Sequence, residues 1–202
     1  MVVEAEPAEP RSGGGGRPRS ASIHKAILKA AVDLVLERGF KQISMDDIAT
    51  RAEVGRMTIY RRWCNKAAII MDAFVARVDP ETLFVPAGNF TESIRLQMRS
   101  MAKLFRGKDG ALMRTLLAEA QFDARLATEL RDRWTMPRRK MAIAYFRQGI
   151  RDGFLKADVD PNVMIDLLYA PLYYRLQMGT GPLSEAYVDE VFDHAMKGLR
   201  RM

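Results

Sequence analysis

The chain has 202 residues, of which 48% are apolar and 8% aromatic, so it can build the core of one domain or of a small domain joined to a larger one. Its formal net charge of +7 favours an anionic partner, most commonly nucleic acid. The single cysteine, Cys64, excludes an internal disulfide and a paired redox motif, and the lack of a long apolar run or a leader-like N-terminus predicts a cytoplasmic protein without a membrane segment.

The first 21 residues are predicted to form a flexible tail. They contain four consecutive glycines at 13–16, three prolines and three glutamates, and few residues that could be buried. Ser22 is a suitable N-cap, and apolar residues then recur on one helical face until Gly39 stops the pattern. We therefore predict a first helix over 22–38.

Three shorter helices are predicted next. Ser44 followed by Asp47 resembles a capping box in which aspartate replaces glutamate, so a helix should begin there. Gly55 interrupts the chain, Asn65 can cap another helix, and Pro80 is expected to end it. The predicted ranges are 45–51, 56–63 and 66–79.

Residues 80–90 contain two prolines and a glycine and form the predicted internal linker. Beyond them, helix-favouring residues with apolar stripes continue to the C-terminus, whereas the alternating pattern of strands is nearly absent. The remaining predicted helices are 91–106, 110–121, 123–134, 137–151, 161–178 and 184–201. The predicted fold class is therefore all-α.

The two short helices around Gly55 have the arrangement in which the second helix can enter the major groove of DNA. Only the first turns of such a helix reach base edges, so the length of 56–63 suffices. Ile59 and Trp63 are spaced to face the core. The side chains then left pointing outward are Arg56, Met57, Thr58, Arg61 and Arg62, with Tyr60 at the flank.

Residues 48–63, IATRAEVGRMTIYRRW, and the NKA that follows at 65–67 resemble the helix-turn-helix signature of the TetR-type (TetR/AcrR) transcriptional regulators. The resemblance implies a three-helix DNA-binding domain over 22–79 and a helical regulatory and dimerisation domain over 80–202. It also implies a double-stranded operator as partner.

Carried over to the matching positions, the resemblance assigns roles to individual residues. The residues implied to contact phosphates are Ser44, Thr58, Tyr60 and Lys66. The residues implied to face bases are Arg56, Met57 and Arg61. Arginine can donate two parallel hydrogen bonds to O6 and N7 of guanine, so we expect a G·C pair in each half-site.

Three positions depart from the pattern of this family. Glu53 stands where many relatives carry glycine, so a positive φ there would destabilise the fold by about 1 kcal/mol. Met57 replaces a small residue, and Cys64 stands where proline is frequent. In the tail, Arg17 and Arg19 resemble an extended minor-groove reader; the alternative is a solvated arm that adds only non-specific attraction.

Catalysis is not expected. His24 and His194 lie at opposite ends of the chain without a carboxylate at metal-ligand spacing, and Cys64 lacks a neighbouring base. Asp46 and Asp47 are explained by the electrostatics of a helix start. We therefore predict no enzyme, no metal and no cofactor.

Methionines and aromatic residues are concentrated after position 91, where they can be ordinary core or can line an apolar pocket. The resemblance implies a small-molecule effector in this half. The predicted ligand-contacting residues are Met98, Met101, Phe105, Met113, Leu117, Gln121, Trp134, Tyr145 and Tyr173. Further polar candidates are Arg95, Gln97, Arg114 and Arg147.

The resemblance also implies a homodimer formed through the last two helices. Each of these carries an apolar stripe: Ile165, Leu168 and Leu172 on the first, and Val188, Val191, Phe192, Ala195 and Leu199 on the second. The function expected is a repressor that binds a near-palindromic operator and is released by the effector. The alternative is a small-molecule or multidrug-binding module whose DNA specificity is degenerate.

Overall fold

The computed structural model describes residues 17–82 and 89–201, without the side chains of 17–19 and 79–82. Within these ranges the secondary structure is helical, apart from one isolated antiparallel bridge between Leu155 and Arg200, so the all-α class is confirmed. A π-helical turn, Arg131–Thr135, joins α7 to α8. The α-helices are α1 (Arg17–Arg38), α2 (Met45–Arg51), α3 (Arg56–Tyr60), α4 (Lys66–Thr82), α5 (Phe90–Arg106), α6 (Lys108–Glu119), α7 (Ala124–Leu130), α8 (Met136–Arg151), α9 (Pro161–Met178) and α10 (Glu185–Leu199).

Helices α1 to α4 form the first unit, in which the long α1 and α4 pack against each other, the short α2 packs against α1, and α3 packs against α2. Ile27, Ile48, Ile59 and Phe74 come from four different helices and are buried together. A helix of five residues such as α3 is not stable alone, so this shared core holds it in place. Its opposite face is left at the surface.

Helix α1 begins five residues before the predicted start. Residues 17–21, which we expected to belong to the flexible tail, are helical, whereas 1–16 lie outside the described residues. The expectation of an extended backbone at Arg17 and Arg19 is therefore wrong, and their side chains lie outside the described part of the chain.

Helix α4 continues past Pro80, which we expected to end it, and reaches Thr82. Because the proline lies in the last turn, the helix has only two further residues to form. Of the predicted linker, residues 83–88 lie outside the described part of the chain. Helix α3 is shorter than predicted and ends at Tyr60, although the backbone N–H of Trp63 still donates to the Ile59 carbonyl at 3.0 Å.

Helices α5 to α10 form the second unit, with α8 and α10 packed against α9 and α5 beside α6 and α10. The π-helical turn widens the helix locally and places Trp134 in the core, where its ring meets Phe74 of α4 edge-on at 4.9 Å. Helix α4 also packs against α5 and α7, so it belongs to the first unit and contacts the second. None of the helices described is long and apolar enough to cross a membrane.

Candidate nucleic-acid interface and ligand cavity

Helix α3 presents the surface that the sequence predicted. Ile59 and Trp63 are buried, while Met57 is 78% exposed and Tyr60 50% exposed. Arg56 and Arg61 are also exposed, and Thr58 is half-buried. These side chains form one polar and cationic face at the end of the first unit, which we call the α3 surface.

Arg56 is paired within the protein. Its Nε lies 3.1 Å from Oδ1 of Asp46, at the start of α2, and both side chains are exposed. An exposed ion pair of this kind contributes little to stability, because both partners can be solvated by water instead. The pair therefore positions Arg56 without preventing it from binding a base.

Ser44 forms the predicted capping box with Asp47. The backbone N–H of Asp47 donates to Ser44 Oγ at 3.1 Å, and Asp47 Oδ2 accepts from the Ser44 backbone N–H at 2.8 Å and from its hydroxyl at 2.5 Å. These hydrogen bonds hold the pKa of Asp47 below its ordinary value. The family resemblance implies that Ser44 contacts phosphate, but here its hydroxyl donates its proton to Asp47 within the protein.

Lys66, implied by the family resemblance to contact phosphate, is bonded within the protein. Its Nζ donates to the carbonyl oxygens of Phe40 and Ile43, each at 2.8 Å, and lies 4.6 Å from the centroid of the Phe40 ring. Burial lowers the pKa of Lys66, with nearby carboxylates acting in the opposite direction. The ammonium group joins α4 to the loop between α1 and α2, so Lys66 has a structural role, and its contact with a phosphate stays a prediction.

Glu53 lies in the turn between α2 and α3 with φ of 54°, in the left-handed region that glycine adopts readily. The expected strain at this departure from the family pattern is therefore present. The backbone N–H of Glu53 donates to the Thr50 carbonyl at 3.1 Å, which closes the turn.

A cavity of about 350 Å³ lies in the second unit among α5, α6, the π-helical turn, α8 and α9. Of the predicted ligand-contacting residues, Met101, Leu117, Trp134 and Tyr173 line it, as does the polar candidate Gln97. The other lining residues include Arg138, Arg139, Met141, Ala142, Ile165, Asp166 and Tyr169.

Five of the predicted ligand residues do not line this cavity. Met98, Phe105 and Met113 are buried in the core between helices, and Gln121 is exposed with its side chain bonded to the Leu117 carbonyl. Tyr145 stacks on Phe90 at 4.8 Å, away from the cavity. Tyr169 was not predicted, although it stands four residues before Tyr173 on α9 and residues at this spacing share one face of a helix.

Two hydrogen-bonded pairs line the cavity. Trp134 Nε1 donates to the Tyr173 hydroxyl at 2.8 Å, and the Tyr169 hydroxyl donates to Gln97 Oε1. Burial raises the pKa of both tyrosines, so their hydroxyl groups stay neutral. The guanidinium of Arg138 stacks 3.5 Å from the centroid of the Trp134 ring.

A chain of polar contacts links α3 to this cavity. The indole N–H of Trp63, just after α3, donates to the carboxylate of Asp72 on α4, and the same carboxylate pairs with Arg133 of the π-helical turn. Arg133 also donates to the Ala68 carbonyl at 3.2 Å. The next residue, Trp134, forms part of the cavity wall. We call Trp63, Asp72 and Arg133 the interdomain relay.

The outer face of α9 carries an exposed apolar stripe that was not predicted. Its members are Val163, Leu167, Tyr174 and Met178, which are 50%, 49%, 56% and 64% exposed and lie on one side of the helix. The stripe predicted for dimerisation on α9 is wrong, because Ile165, Leu168 and Leu172 are buried in the core of the chain itself. On α10, Val188, Phe192 and Leu199 are likewise buried, and Val191 and Ala195 are half-buried.

Known proteins resemble this chain over most of its length. A family model described as bacterial regulatory proteins, tetR family, matches residues 27–73, and one described as tetracyclin repressor-like, C-terminal domain, matches 85–195. The chain is 38% identical over 185 residues to the uncharacterized HTH-type transcriptional regulator YdeS of Bacillus subtilis, covering 92% of this chain and 93% of that protein.

It is 30% identical over 193 residues to the DNA-binding transcriptional repressor TetR of Mycobacteroides abscessus, covering 92% of this chain and 96% of that protein. Among solved structures, the TetR family transcription regulator SCO0332 superposes with a TM-score of 0.72 and 26% identity, covering 89% of this chain and 100% of that one. The likeness thus extends across both units of the fold.

Proposed function

Because this chain belongs to the TetR family of bacterial transcriptional regulators, we propose that it binds a near-palindromic operator as a homodimer, represses transcription there, and is released by a small-molecule effector. The observation that carries the proposal is the α3 surface, on which cationic and aromatic side chains are exposed over a buried Ile59 and Trp63. Such a face can enter the major groove while the core holds its orientation.

On this surface the residues have separate tasks. Arg56 and Arg61 donate to guanine, Met57 contacts a thymine methyl, and the hydroxyl groups of Thr58 and Tyr60 bind phosphates. The test is to select bound fragments from genomic DNA and to measure gel shifts with Arg56→Ala and Tyr60→Phe. Arg56→Ala should relax discrimination at one base position, whereas Tyr60→Phe should weaken all sequences alike. If no fragment is enriched, the alternative of a ligand-binding module with degenerate DNA specificity is the better description.

The homodimer is proposed to form through the exposed stripe on α9, with α10 beside it. Tyr187 of α10 and Pro171 of α9 line an apolar groove that continues the stripe. Exposed apolar patches of this kind are typical of protein interfaces. A twofold pairing would let two copies of α3 read successive major grooves about 34–36 Å apart, which requires a near-palindromic operator.

The size of the protein in sedimentation experiments tests this interface. Leu167→Glu places a charge in the stripe and should give monomers that bind the operator weakly. Leu36→Glu is the matched control, because Leu36 is similarly exposed but lies on α1. A dimer that persists in the Leu167 variant would contradict the assignment.

Release by an effector requires that the cavity and the α3 surface be coupled. The interdomain relay supports such coupling, because Arg133 precedes the cavity residue Trp134 and Asp72 holds both Arg133 and Trp63. A ligand that displaces Trp134 would move Arg133, and α4 would carry the displacement to α3.

A double-mutant cycle on operator affinity tests the relay. Asp72→Asn and Arg133→Gln remove the same ion pair, so each should weaken binding by a similar factor and the double variant should be little worse than either. Asp33→Asn is the control, since it removes a carboxylate that pairs with Lys29 at the surface of α1. Additive losses would show that the two residues act independently.

A further inference from the structure

The walls of the cavity describe what it can hold. Most of its lining is apolar or aromatic and includes Met101, Leu117, Ile165 and the ring of Trp134. A volume of about 350 Å³ lies in the lower part of the range for small-molecule sites. The body of a ligand must therefore be apolar and compact, and the flexible methionine side chain can adjust to its shape.

Tyr173 supplies a hydrogen-bond donor on this wall. Its hydroxyl oxygen accepts from the Trp134 indole N–H at 2.8 Å, so its own proton must be donated elsewhere. Among the residues that the structure describes, the Tyr173 hydroxyl donates no hydrogen bond. Burial raises the pKa of Tyr173, which keeps the hydroxyl protonated and able to donate. A ligand that offers an acceptor oxygen would satisfy this group.

The charge around Tyr173 favours an anion. The Arg138 guanidinium stacks on Trp134, the donor to Tyr173, and its positive charge opposes the effect of burial on the Tyr173 pKa. Arg138 therefore offsets part of the cost of burying a negative charge beside the Tyr173 hydroxyl. Arg139 also lines the cavity and is paired with Asp166 at 2.6 Å, so the described lining residues carry two guanidinium groups and one carboxylate.

We propose that the cavity binds an amphipathic monoanion, a compact aromatic or aliphatic body bearing one carboxylate, with a carboxylate oxygen accepting from the Tyr173 hydroxyl beside Arg138. This inference rests on the proposed function, because it names the chemical class of the effector. A dianionic group such as a phosphate monoester is disfavoured, since the lining carries an excess of one positive charge.

Calorimetric titration of the 202-residue chain tests the proposal directly. The probes are four acids, benzoate, 2-naphthoate, octanoate and decanoate, each compared with its own amide, which has the same body without the charge. At least one acid is expected to bind about tenfold more tightly than its amide, the ratio typical of one charge-assisted hydrogen bond. If no acid of the set binds more tightly than its amide, the proposal is wrong.

Variants then locate the carboxylate. Tyr173→Phe keeps the ring and should weaken acid binding about tenfold, and Arg138→Met should abolish the preference for acid over amide. Lys140→Met is the matched control, because Lys140 is an exposed cation on the same helix that does not line the cavity. Thermal melting identifies a variant that fails to fold. If the Arg138 variant does not fold, the acid affinity of the Tyr173 variant decides whether the carboxylate lies at this hydroxyl. An unchanged affinity for the acid in a folded Tyr173 variant would overturn the assignment.

Gel shifts with the operator separate this inference from the proposed function. An acid that binds in the cavity without releasing the operator would contradict the effector role and leave the ligand class intact. Release by the amides as readily as by the acids would contradict the ligand class and leave the effector role intact. Both readouts are therefore needed on the same preparation.

Discussion

Replacing Lys66 with methionine removes the ammonium group while retaining a side chain of similar length. In the structure this group donates to the carbonyl oxygens of Phe40 and Ile43 at 2.8 Å. A hydrogen bond to a charged group contributes about 1.5–3 kcal/mol. The variant loses two such bonds, but it no longer has to desolvate an ammonium group, which offsets part of the loss. The free energy of unfolding is therefore expected to fall by about 2–3 kcal/mol.

Urea titration and thermal melting at equal protomer concentration measure this loss. For a chain of this length the melting temperature should fall by about 5–10 °C. Lys25→Met is the control, because Lys25 is exposed on α1 and its replacement should change stability by no more than about 0.5 kcal/mol.

The salt dependence of operator binding separates this structural role from a phosphate contact. Each phosphate contact adds about 0.9 to the slope of the logarithm of affinity against the logarithm of salt concentration. Because Lys66 is bonded to carbonyl groups, Lys66→Met should leave the slope unchanged. A variant with the stability of the original protein and a slope lower by about one would refute the reasoning.

Three further predictions concern stability. Glu53→Gly should raise the free energy of unfolding by about 1 kcal/mol, because it relieves a φ of 54°; a lower value in urea titration would exclude strain at this turn. Gly149→Ala should lower the free energy of unfolding by about 1–3 kcal/mol, because the new Cβ would lie 2.3 Å from the Phe90 ring. Gly198→Ala is the control: its Cβ meets no neighbour within 4 Å, so it should raise the free energy of unfolding by about 0.5–1 kcal/mol. Similar values for the two variants would contradict the packing. Desolvation, and after it the charge of Arg62, lowers the pKa of His24 below 6.5, so the unfolded chain takes up the proton first and stability should fall as the pH is lowered through 6.5; His24→Gln should flatten this dependence, and an equal slope in both proteins would rule out His24 as its source.

Features set by neighbouring residues could be predicted from the sequence. The capping box of Ser44 and Asp47, the bounds of α2 and the burial of Ile59 and Trp63 all depend on spacings of three or four residues. The exposure of Arg56 and its neighbours follows from that burial. The α3 surface was therefore visible before the fold was known.

Contacts between distant segments could not be predicted in the same way. Lys66 bonds to carbonyl groups 23 and 26 residues earlier, and no local pattern marks a backbone oxygen as an acceptor for it. Met98 and Met101 are both apolar residues of α5, yet only the packing against α8 and α9 places Met101 at the cavity and Met98 in solid core.

Helix α9 shows most clearly which features the sequence determined and which the tertiary structure decided. Its sequence places apolar residues on nearly every side, so periodicity cannot identify the inward face. That composition determined a helix with much apolar surface to cover. The neighbouring helices α5, α8 and α10 decided which part is covered, because they bury Leu168 and Leu172 and leave Leu167 and Tyr174 exposed.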